Sequence, residues 1–138
     1  MDFDRLKHSY GGAKKMYEIG VLLNLKVEEL ESLYILGLNH DIGYQFTDNI
    51  YEHNKVGGDI LKESGYIYWK EVYYHGEIKC GYESLFLDIL NSADMQIDKY
   101  GNDVGYLGRL KDIEERYGYN SEVYKKCKRL ISSLCEKF

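Results

Sequence analysis

The chain of 138 residues contains no proline, only three cysteines and no apolar run close to the ~20 residues that a transmembrane helix needs. The absence of proline removes the residue that interrupts helices most strongly, so long helices are permitted. The odd number of cysteines and the lack of a CxxC pair argue against a disulfide framework, and we expect buried, reduced thiols. The length fits a single domain over residues 1–138, which is long enough to bury a core.

The chain also lacks an excess of positive charge, because it has 18 Lys and Arg residues and 23 Asp and Glu residues, for a formal charge of −5. An acidic protein has no long-range attraction for nucleic acid or anionic lipid, so we expect neither a nucleic-acid nor a membrane partner. A local basic pocket could still bind a phosphate. The N-terminus, Met1 to Arg5, lacks the basic start and apolar stretch of a signal peptide, which predicts a cytoplasmic protein.

Apolar residues recur at helical spacing along most of the chain, which predicts an all-α domain of six or seven helices. Gly11 and Gly12 within the first helix indicate close packing against a neighbour, room for a ligand, or a break in the helix. Tyr44 to Glu52 has no period and is predicted to be a loop. The predicted helices cover residues 5–25, 27–38, 54–63, 66–75, 83–98, 106–117 and 121–137, the last with Ser121 as its N-cap.

Four histidines are present, and all of them lie within the first 75 residues. His40 and Asp41 end an apolar helix and should face inward, and Asp94 lies on another apolar helix. Buried His and Asp side chains need a partner or a metal to offset their lost hydration. Together with His8 they supply mixed nitrogen and oxygen ligands, which suit iron, manganese, zinc, cobalt or nickel better than calcium.

Short motifs around these residues resemble the HD superfamily of metal-dependent phosphohydrolases, in which the ligands follow the order His, His-Asp, Asp on separate helices. The similarity spans residues 8–98 and includes every histidine of the chain. It implies a compact HD-domain helical bundle, with metal-binding motifs at 8–98 and C-terminal helices at 106–137. The similar segments are His8-Ser9 with Ala13, GLNHDIG at 37–43, HNKVGGDIL at 53–61, YHGE at 74–77 and Ala93-Asp94.

The resemblance implies one or two divalent transition-metal ions. The first would be bound by His8, His40, Asp41 and Asp94. The second would share Asp41 as a bridge and add His53 and His75. Such ions lower the pKa of a bound water and neutralise phosphate oxygens, so Asp41, His53 and His75 are also catalytic candidates. The alternative for His53 and His75 is binding of the substrate phosphate beside a single metal.

The sequence departs from the family pattern at Tyr44, where many members have a lysine that assists phosphate binding. Lys55, Lys14 and Arg109 are candidate replacements, and Lys55 ranks first because it lies two residues from His53. A single Arg such as Arg109 can clamp a phosphate bidentately, although its charged helix is typical of a solvated face.

Several polar and aromatic residues leave two interpretations open. Asp98 either orients a metal ligand or caps the turn after it. Glu77 is either a general acid or base or a solvated charge. The aromatic stretch from Tyr66 to Tyr74 either stacks a nucleobase or belongs to the core. The GYP extension of cyclic-di-GMP phosphodiesterases is absent after Glu77, which disfavours that substrate.

The predicted function is that of a metal-dependent phosphohydrolase acting through a metal-activated hydroxide. The expected partner is a small phosphorylated molecule, with a nucleotide favoured, and the oligomeric state, including a homodimer, stays open. A narrower hypothesis comes from a resemblance to bacterial HD hydrolases that cleave diadenosine tetraphosphate symmetrically. The alternatives are a mixed-valent di-iron oxygenase, similar to myo-inositol oxygenase, or a non-catalytic sensor that holds a metal.

Overall fold

The computed structural model describes residues 2–137, which form seven α-helices and one short 3₁₀ helix and contain no β-strand. The predicted all-α fold is confirmed. The helices are α1 (Phe3–Leu22), α2 (Val27–Asn39), α3 (His53–Glu63), α4 (Trp69–Tyr74), α5 (Leu85–Asp94), α6 (Gly105–Tyr117) and α7 (Glu122–Lys137). The 3₁₀ helix (Ile42–Gln45) lies between α2 and α3, where the sequence predicted the start of a loop. Within the described residues, no helix combines the length and apolar character needed to cross a membrane.

Side-chain caps fix the starts of three helices. Asp2 accepts a hydrogen bond of 2.9 Å from the main-chain N–H of Arg5 at the start of α1. Ser84 caps α5 in the same way, with its hydroxyl 3.0 Å from the N of Leu87. Ser121 Oγ accepts from the main chain at the start of α7, as predicted from the sequence. Each cap satisfies an N–H group that the helix itself leaves unpaired.

Helix α5 is the centre of the bundle and packs against α1, α2, α4 and α7. Its apolar residues contribute to the main core, and Met95, just after it, joins a second cluster under α7. Burying each large side chain stabilises the fold by about 1.5–3 kcal/mol. The main cluster contains Met16, Leu33, Leu36, Leu61, Val72, Ile89, Leu90 and Ala93, and the second contains Met95, Leu130, Ile131 and Leu134.

The two adjacent glycines of α1 have different surroundings. The helix continues through both, so a break is excluded. A Cβ on Gly11 would overlap the main chain of Gly101, whereas a Cβ on Gly12 would meet only His40 Cε1, at 3.5 Å. Close packing therefore explains Gly11. Gly43 has a similar role, because a Cβ there would overlap the main-chain oxygen of His53 and separate the 3₁₀ helix from α3.

Two sequence predictions are corrected by the structure. Helix α5 ends at Asp94 rather than at residue 98, because the chain turns back and Ile97 pairs with Asp103 in an isolated antiparallel bridge. The expectation of buried thiols is also wrong, because Cys135 is exposed on α7 and Cys80 and Cys127 are only half-buried.

Candidate metal centre

The fold brings all six predicted metal ligands together where several elements end. His8 lies within α1, His53 begins α3 and Asp94 ends α5. His40 and Asp41 directly follow α2, and His75 directly follows α4. All of these side chains are buried except His53, which is half-buried. Ligand atoms lie within 4.8 Å of one another in three groups: His8, His40 and Asp41; His40, His75 and Asp94; and Asp41, His53 and His75.

The Asp41 carboxylate lies between two pairs of imidazoles. Its Oδ1 is 3.3 Å from His53 Nε2 and 3.5 Å from His75 Nε2. Its Oδ2 is 3.4 Å from His40 Nε2 and 3.7 Å from His8 Nε2. The two oxygens thus face two different sets of ligands, which is the arrangement that a bridging carboxylate requires.

The Asp94 carboxylate completes only one of these sets. Its Oδ1 is 2.7 Å from His8 Nε2 and 3.5 Å from His40 Nε2. The cluster therefore has a half with His8, His40 and Asp94 and a half with His53 and His75, joined by Asp41.

Main-chain carbonyls orient all four imidazoles. In each ring Nδ1 lies within hydrogen-bond distance of a backbone oxygen, and a proton donated there leaves a lone pair on Nε2. All four Nε2 atoms consequently point towards the two carboxylates and would be free to bind a metal when the rings are neutral. The Nδ1···O distances are 3.0 Å for His8 and Asp98, 2.6 Å for His40 and Gly37, 2.9 Å for His53 and Ile50, and 2.5 Å for His75 and Val72.

With neutral histidines, this cluster has more hydrogen-bond acceptors, the Nε2 atoms and carboxylate oxygens, than the protein has N–H or O–H donors to pair with them. His40 Nε2 is buried and has no hydrogen-bond partner in the described part of the chain. The Nε2 atoms of His53 and His75 lie 3.2 Å apart, and when both rings carry their proton on Nδ1 neither Nε2 has a proton to donate to the other. A cation placed among these atoms would satisfy them, and neutral imidazole with carboxylate is a donor set for divalent transition metals. The residues therefore fit the metal that the motifs imply.

The electrostatics of the metal-free cluster also favour a positive charge. Burial alone would lower the pKa of His40, but the Asp41 and Asp94 carboxylates outweigh it and raise the pKa to about 9. Burial likewise opposes ionisation of Asp41, yet His40, His53 and His75 hold the pKa of this carboxyl well below its usual range. Without a metal, His40 therefore carries a proton at neutral pH.

The pKa of His75 moves in the opposite direction. Burial lowers it most, and the neighbouring His53 and His40 lower it further, in opposition to Asp41. His75 thus stays neutral, with a lone pair on Nε2, in the same cluster in which His40 is protonated.

A cavity of about 240 Å³ opens above the cluster. His8, Asp41, His53, His75 and Asp94 form part of its lining, and the rings of tyrosines 44, 51 and 117 contribute further walls. Five cationic side chains also line it: Arg5, Lys99, Arg109, Arg116 and Lys126. Three carboxylates, Asp2, Asp4 and Glu77, line it as well, so besides the predicted metal ligands its walls have mixed charge with more cations than anions.

Two of the three predicted phosphate-binding cations lie outside this cavity. Lys55 is exposed and does not line it, because two residues of α-helix rotate its side chain by about 200° from that of His53. The high rank given to Lys55 is thereby corrected. Lys14 lies in a separate surface groove, with Nζ 5.2 Å from the centre of the Tyr10 ring.

Arg109 does line the cavity, but protein groups occupy its donors. Its Nε donates to the main-chain oxygen of Asp94 at 3.1 Å, and its Nη1 donates to Asp112 at 2.8 Å. The first bond links α6 to the end of α5 and therefore helps to position the Asp94 carboxylate, while the second, within α6, fixes the orientation of the guanidinium.

The sequence analysis missed Arg5, which lies beside the cluster. Its guanidinium carbon is 3.4 Å from the centre of the Tyr44 ring. Tyr44 in turn stacks on His53, with 4.2 Å between ring centres and 11° between planes. The available signal was the spacing of three between Arg5 and His8, which places both on one face of α1.

Three open interpretations find structural answers. Asp98 has both suggested roles: its main-chain oxygen faces His8 Nδ1, and its carboxylate accepts from the N–H groups of Tyr100 and Asn102. Glu77 lines the cavity and forms a 3.2 Å ion pair with Lys126, so it is not simply solvated. Tyr66, Tyr68 and Trp69 pack against the main core, and none of the described residues from 66 to 74 lines the cavity.

The fold and the site together define an all-helical domain with a buried His/Asp cluster that could hold a metal ion. The chain matches the HD domain family over residues 5–117 and belongs to this family, whose members are generally metal-dependent phosphohydrolases. The match begins within α1, ends with the last residue of α6 and leaves out α7. No curated protein and no solved structure matches the chain.

Proposed function

We propose that the protein hydrolyses a phosphate ester or anhydride bond in a nucleotide or another small phosphorylated molecule, with a bound divalent metal. The observation that carries this proposal is the convergence of four imidazole Nε2 atoms and two carboxylates at a cavity that five cationic side chains help to line. Bound divalent ions would supply Lewis acidity and a nucleophilic hydroxide at neutral pH.

The distances favour a division of the ligands into two sets. His8, His40, Asp41 and Asp94 would hold one ion, and Asp41, His53 and His75 would hold a second. The support is that the two oxygens of Asp41 face different imidazole pairs, at 3.3–3.5 Å and 3.4–3.7 Å.

The remaining residues of the cavity bind and orient the substrate. The cationic walls offset phosphate charge, and the small volume limits the water around the scissile bond. A cavity of about 240 Å³ lies just below the roughly 300–1,000 Å³ that is usual for small-molecule sites. This size favours a compound no larger than a mononucleotide over a dinucleoside tetraphosphate.

The test is phosphate release from a panel of nucleotides and small phosphate esters, after reconstitution with Mn²⁺, Fe²⁺ or Co²⁺. We expect metal-dependent release, and a loss of about 100-fold or more in Asp41→Ala, because several kcal/mol of charge stabilisation disappear. Asp59→Ala is the matched control, since this carboxylate is exposed on α3 and does not line the cavity. Its activity should equal that of the unmodified protein.

Two outcomes would contradict the proposal. The first is an absence of turnover across the panel in protein that has bound its metal. The second is substrate-linked O₂ consumption together with a mixed-valent EPR signal, which would identify a di-iron oxygenase instead.

A further inference from the structure

The five cations that line the cavity are not equally available to a ligand. Arg109 and Arg116 both bind the Asp112 carboxylate, at 2.8 and 3.1 Å. Lys126 pairs with Glu77 at 3.2 Å. Three of the five are therefore held by carboxylates at hydrogen-bond distance, which leaves Arg5 and Lys99 as cations that could accept an anion.

Arg5 is joined to the metal cluster by a continuous stack of planar groups. Its guanidinium lies on one face of the Tyr44 ring, and the His53 ring packs nearly parallel to Tyr44. His53 Nε2 is in turn 3.3 Å from Asp41 Oδ1. The stack fixes the plane of the guanidinium and leaves the N–H groups at its edge uncovered.

The donors of Arg5 are also nearly unused. Within residues 2–137 its guanidinium makes one ion pair, from Nε to Asp2 Oδ2, at 3.6 Å. That distance exceeds a normal N–H···O hydrogen bond. The Arg5 side chain is 30% exposed, so a ligand in the cavity can reach it.

Lys99 is the weaker candidate. Its Nζ lies 4.9 Å from the centre of the Tyr100 ring, which is itself half exposed. Within the described residues, no side-chain contact of Lys99 leads to a predicted metal ligand, whereas Tyr44 connects Arg5 to His53.

We propose that Arg5, held flat on Tyr44, binds a phosphate group of the substrate through the edge of its guanidinium. The proposal rests on the proposed phosphohydrolase function and adds a specific phosphate contact to it. A planar guanidinium can bind two phosphate oxygens with parallel N–H···O bonds, which a lysine at the same place cannot do.

The primary test is binding of inorganic phosphate to the Mn²⁺-loaded protein, measured by isothermal titration calorimetry. Arg5→Gln should weaken binding by about tenfold or more, the expected effect of losing a charge-assisted hydrogen bond. Lys55→Gln removes the same charge from an exposed site outside the cavity and should bind phosphate normally. Metal content and melting temperature should be equal in both variants, because the Arg5 main-chain bond to Asp2 is kept.

Two further variants test the geometry of the stack. Arg5→Lys keeps the charge without the planar fork and should restore only part of the affinity. Tyr44→Leu removes the surface on which Arg5 lies and should weaken phosphate binding although Arg5 is intact. Normal binding in Tyr44→Leu, at full metal content, would overturn the role of the stack.

The proposal is overturned if Arg5→Gln binds phosphate as well as the unmodified protein does, or if Lys99→Gln alone loses affinity. A metal-loaded protein with no affinity for phosphate would overturn it as well. Failure of the proposed function is distinguishable: phosphate binding that depends on Arg5, without hydrolysis of any substrate, supports this inference and contradicts the hydrolase. Hydrolysis with an unchanged KM in Arg5→Gln contradicts this inference alone.

Discussion

At the scale of single residues, Asp41 joins the two halves of the cluster because each of its oxygens faces a different pair of histidines. Removing a ligand from one half should therefore leave the other half intact. His53 is suited to this experiment, since it is the least buried of the six ligands and contacts only the half that contains His75.

We expect His53→Ala to reduce the metal content of the reconstituted protein from two ions per chain to one. The half with His8, His40, Asp41 and Asp94 keeps all its donors in this variant. Inductively coupled plasma mass spectrometry after gel filtration measures the ratio. Equal loss of both ions, in a variant that melts normally, would show that the halves do not bind independently.

Metal affinity should rise with pH up to about pH 9. The pKa of His40 is raised to about 9 in the metal-free protein, so below that pH a proton competes with the metal for Nε2. The same shift stabilises the metal-free fold fully below the ordinary pKa of about 6.5, and this stability is lost as pH rises through about 9.

Mn²⁺ titrations at a series of pH values test this expectation. With one competing proton, affinity should increase by about tenfold per pH unit between pH 7 and pH 9, where His40 is still protonated. An affinity that is constant over this interval would show that His40 is already neutral in the metal-free protein.

The sequence allowed the ligand residues to be predicted because each combines a costly buried polar group with a family motif. His40 and Asp41 at the end of an apolar helix are the clearest example. The metal-ligand assignment itself stays a prediction for metal analysis to test. Arg5 was missed because no motif marks it, and its position depends on a stack of three side chains from different parts of the chain.

At the scale of elements, α1 packs closely against the turn at Asp98–Asp103, and this close approach is possible because Gly11 has no side chain. This contact matters for the site because the same turn supplies the main-chain oxygen that faces His8 Nδ1. A displacement of α1 from the turn would move His8 relative to Asp94.

Gly11→Ala and Gly12→Ala form a matched pair that tests this contact. The added methyl of Gly11→Ala overlaps the Gly101 main chain, so we expect a loss of about 1–3 kcal/mol in the free energy of unfolding. Gly12→Ala meets only an ordinary contact and should be neutral, or stabilise the fold by roughly 0.5–1 kcal/mol through higher helix propensity. Urea unfolding compares the two, and equal effects would contradict the packing argument.

The end of α5 shows where sequence periodicity fails. Ile97 continues the apolar period of the helix, and it is buried, which is what the pattern requires. Ile97 lies, however, in the segment after the helix and not in the helix itself. The sequence pattern missed this because a single apolar residue is compatible with both a helical and an extended backbone. The decisive interactions are the Asp98 carboxylate bonds to Tyr100 and Asn102, which are local and visible only in the structure.

At the scale of the whole molecule, the cluster connects most of the bundle. Its six predicted ligands come from α1, α3, α5 and the segments that follow α2 and α4. A metal held by these residues would therefore link parts of the chain that are up to 86 residues apart in sequence, as between His8 and Asp94. Metal binding and folding should be strongly coupled.

Removal of the metal should lower the melting temperature of the protein. At an ion concentration 100 times the Kd, binding stabilises the fold by about 2.7 kcal/mol, which corresponds to a shift of about 10 °C for a domain of this size. Differential scanning calorimetry with and without a chelator measures the shift. Asp41→Ala should melt at the same temperature in both conditions, whereas Asp59→Ala should keep the full shift.

The main-chain carbonyls that face the four imidazoles have an evolutionary consequence. A carboxylate that orients a ligand can be deleted by one codon change, but a peptide oxygen remains whatever side chain its residue carries. A change at Ile50 therefore keeps the acceptor that aligns His53, whereas Gly37 and Asp98 are restricted for other reasons: a Cβ on Gly37 would overlap the Ala13 main chain, and the Asp98 carboxylate holds its turn. A substitution at one of the four residues that supply these oxygens should therefore disturb the alignment of a ring only if it moves the backbone that carries the oxygen.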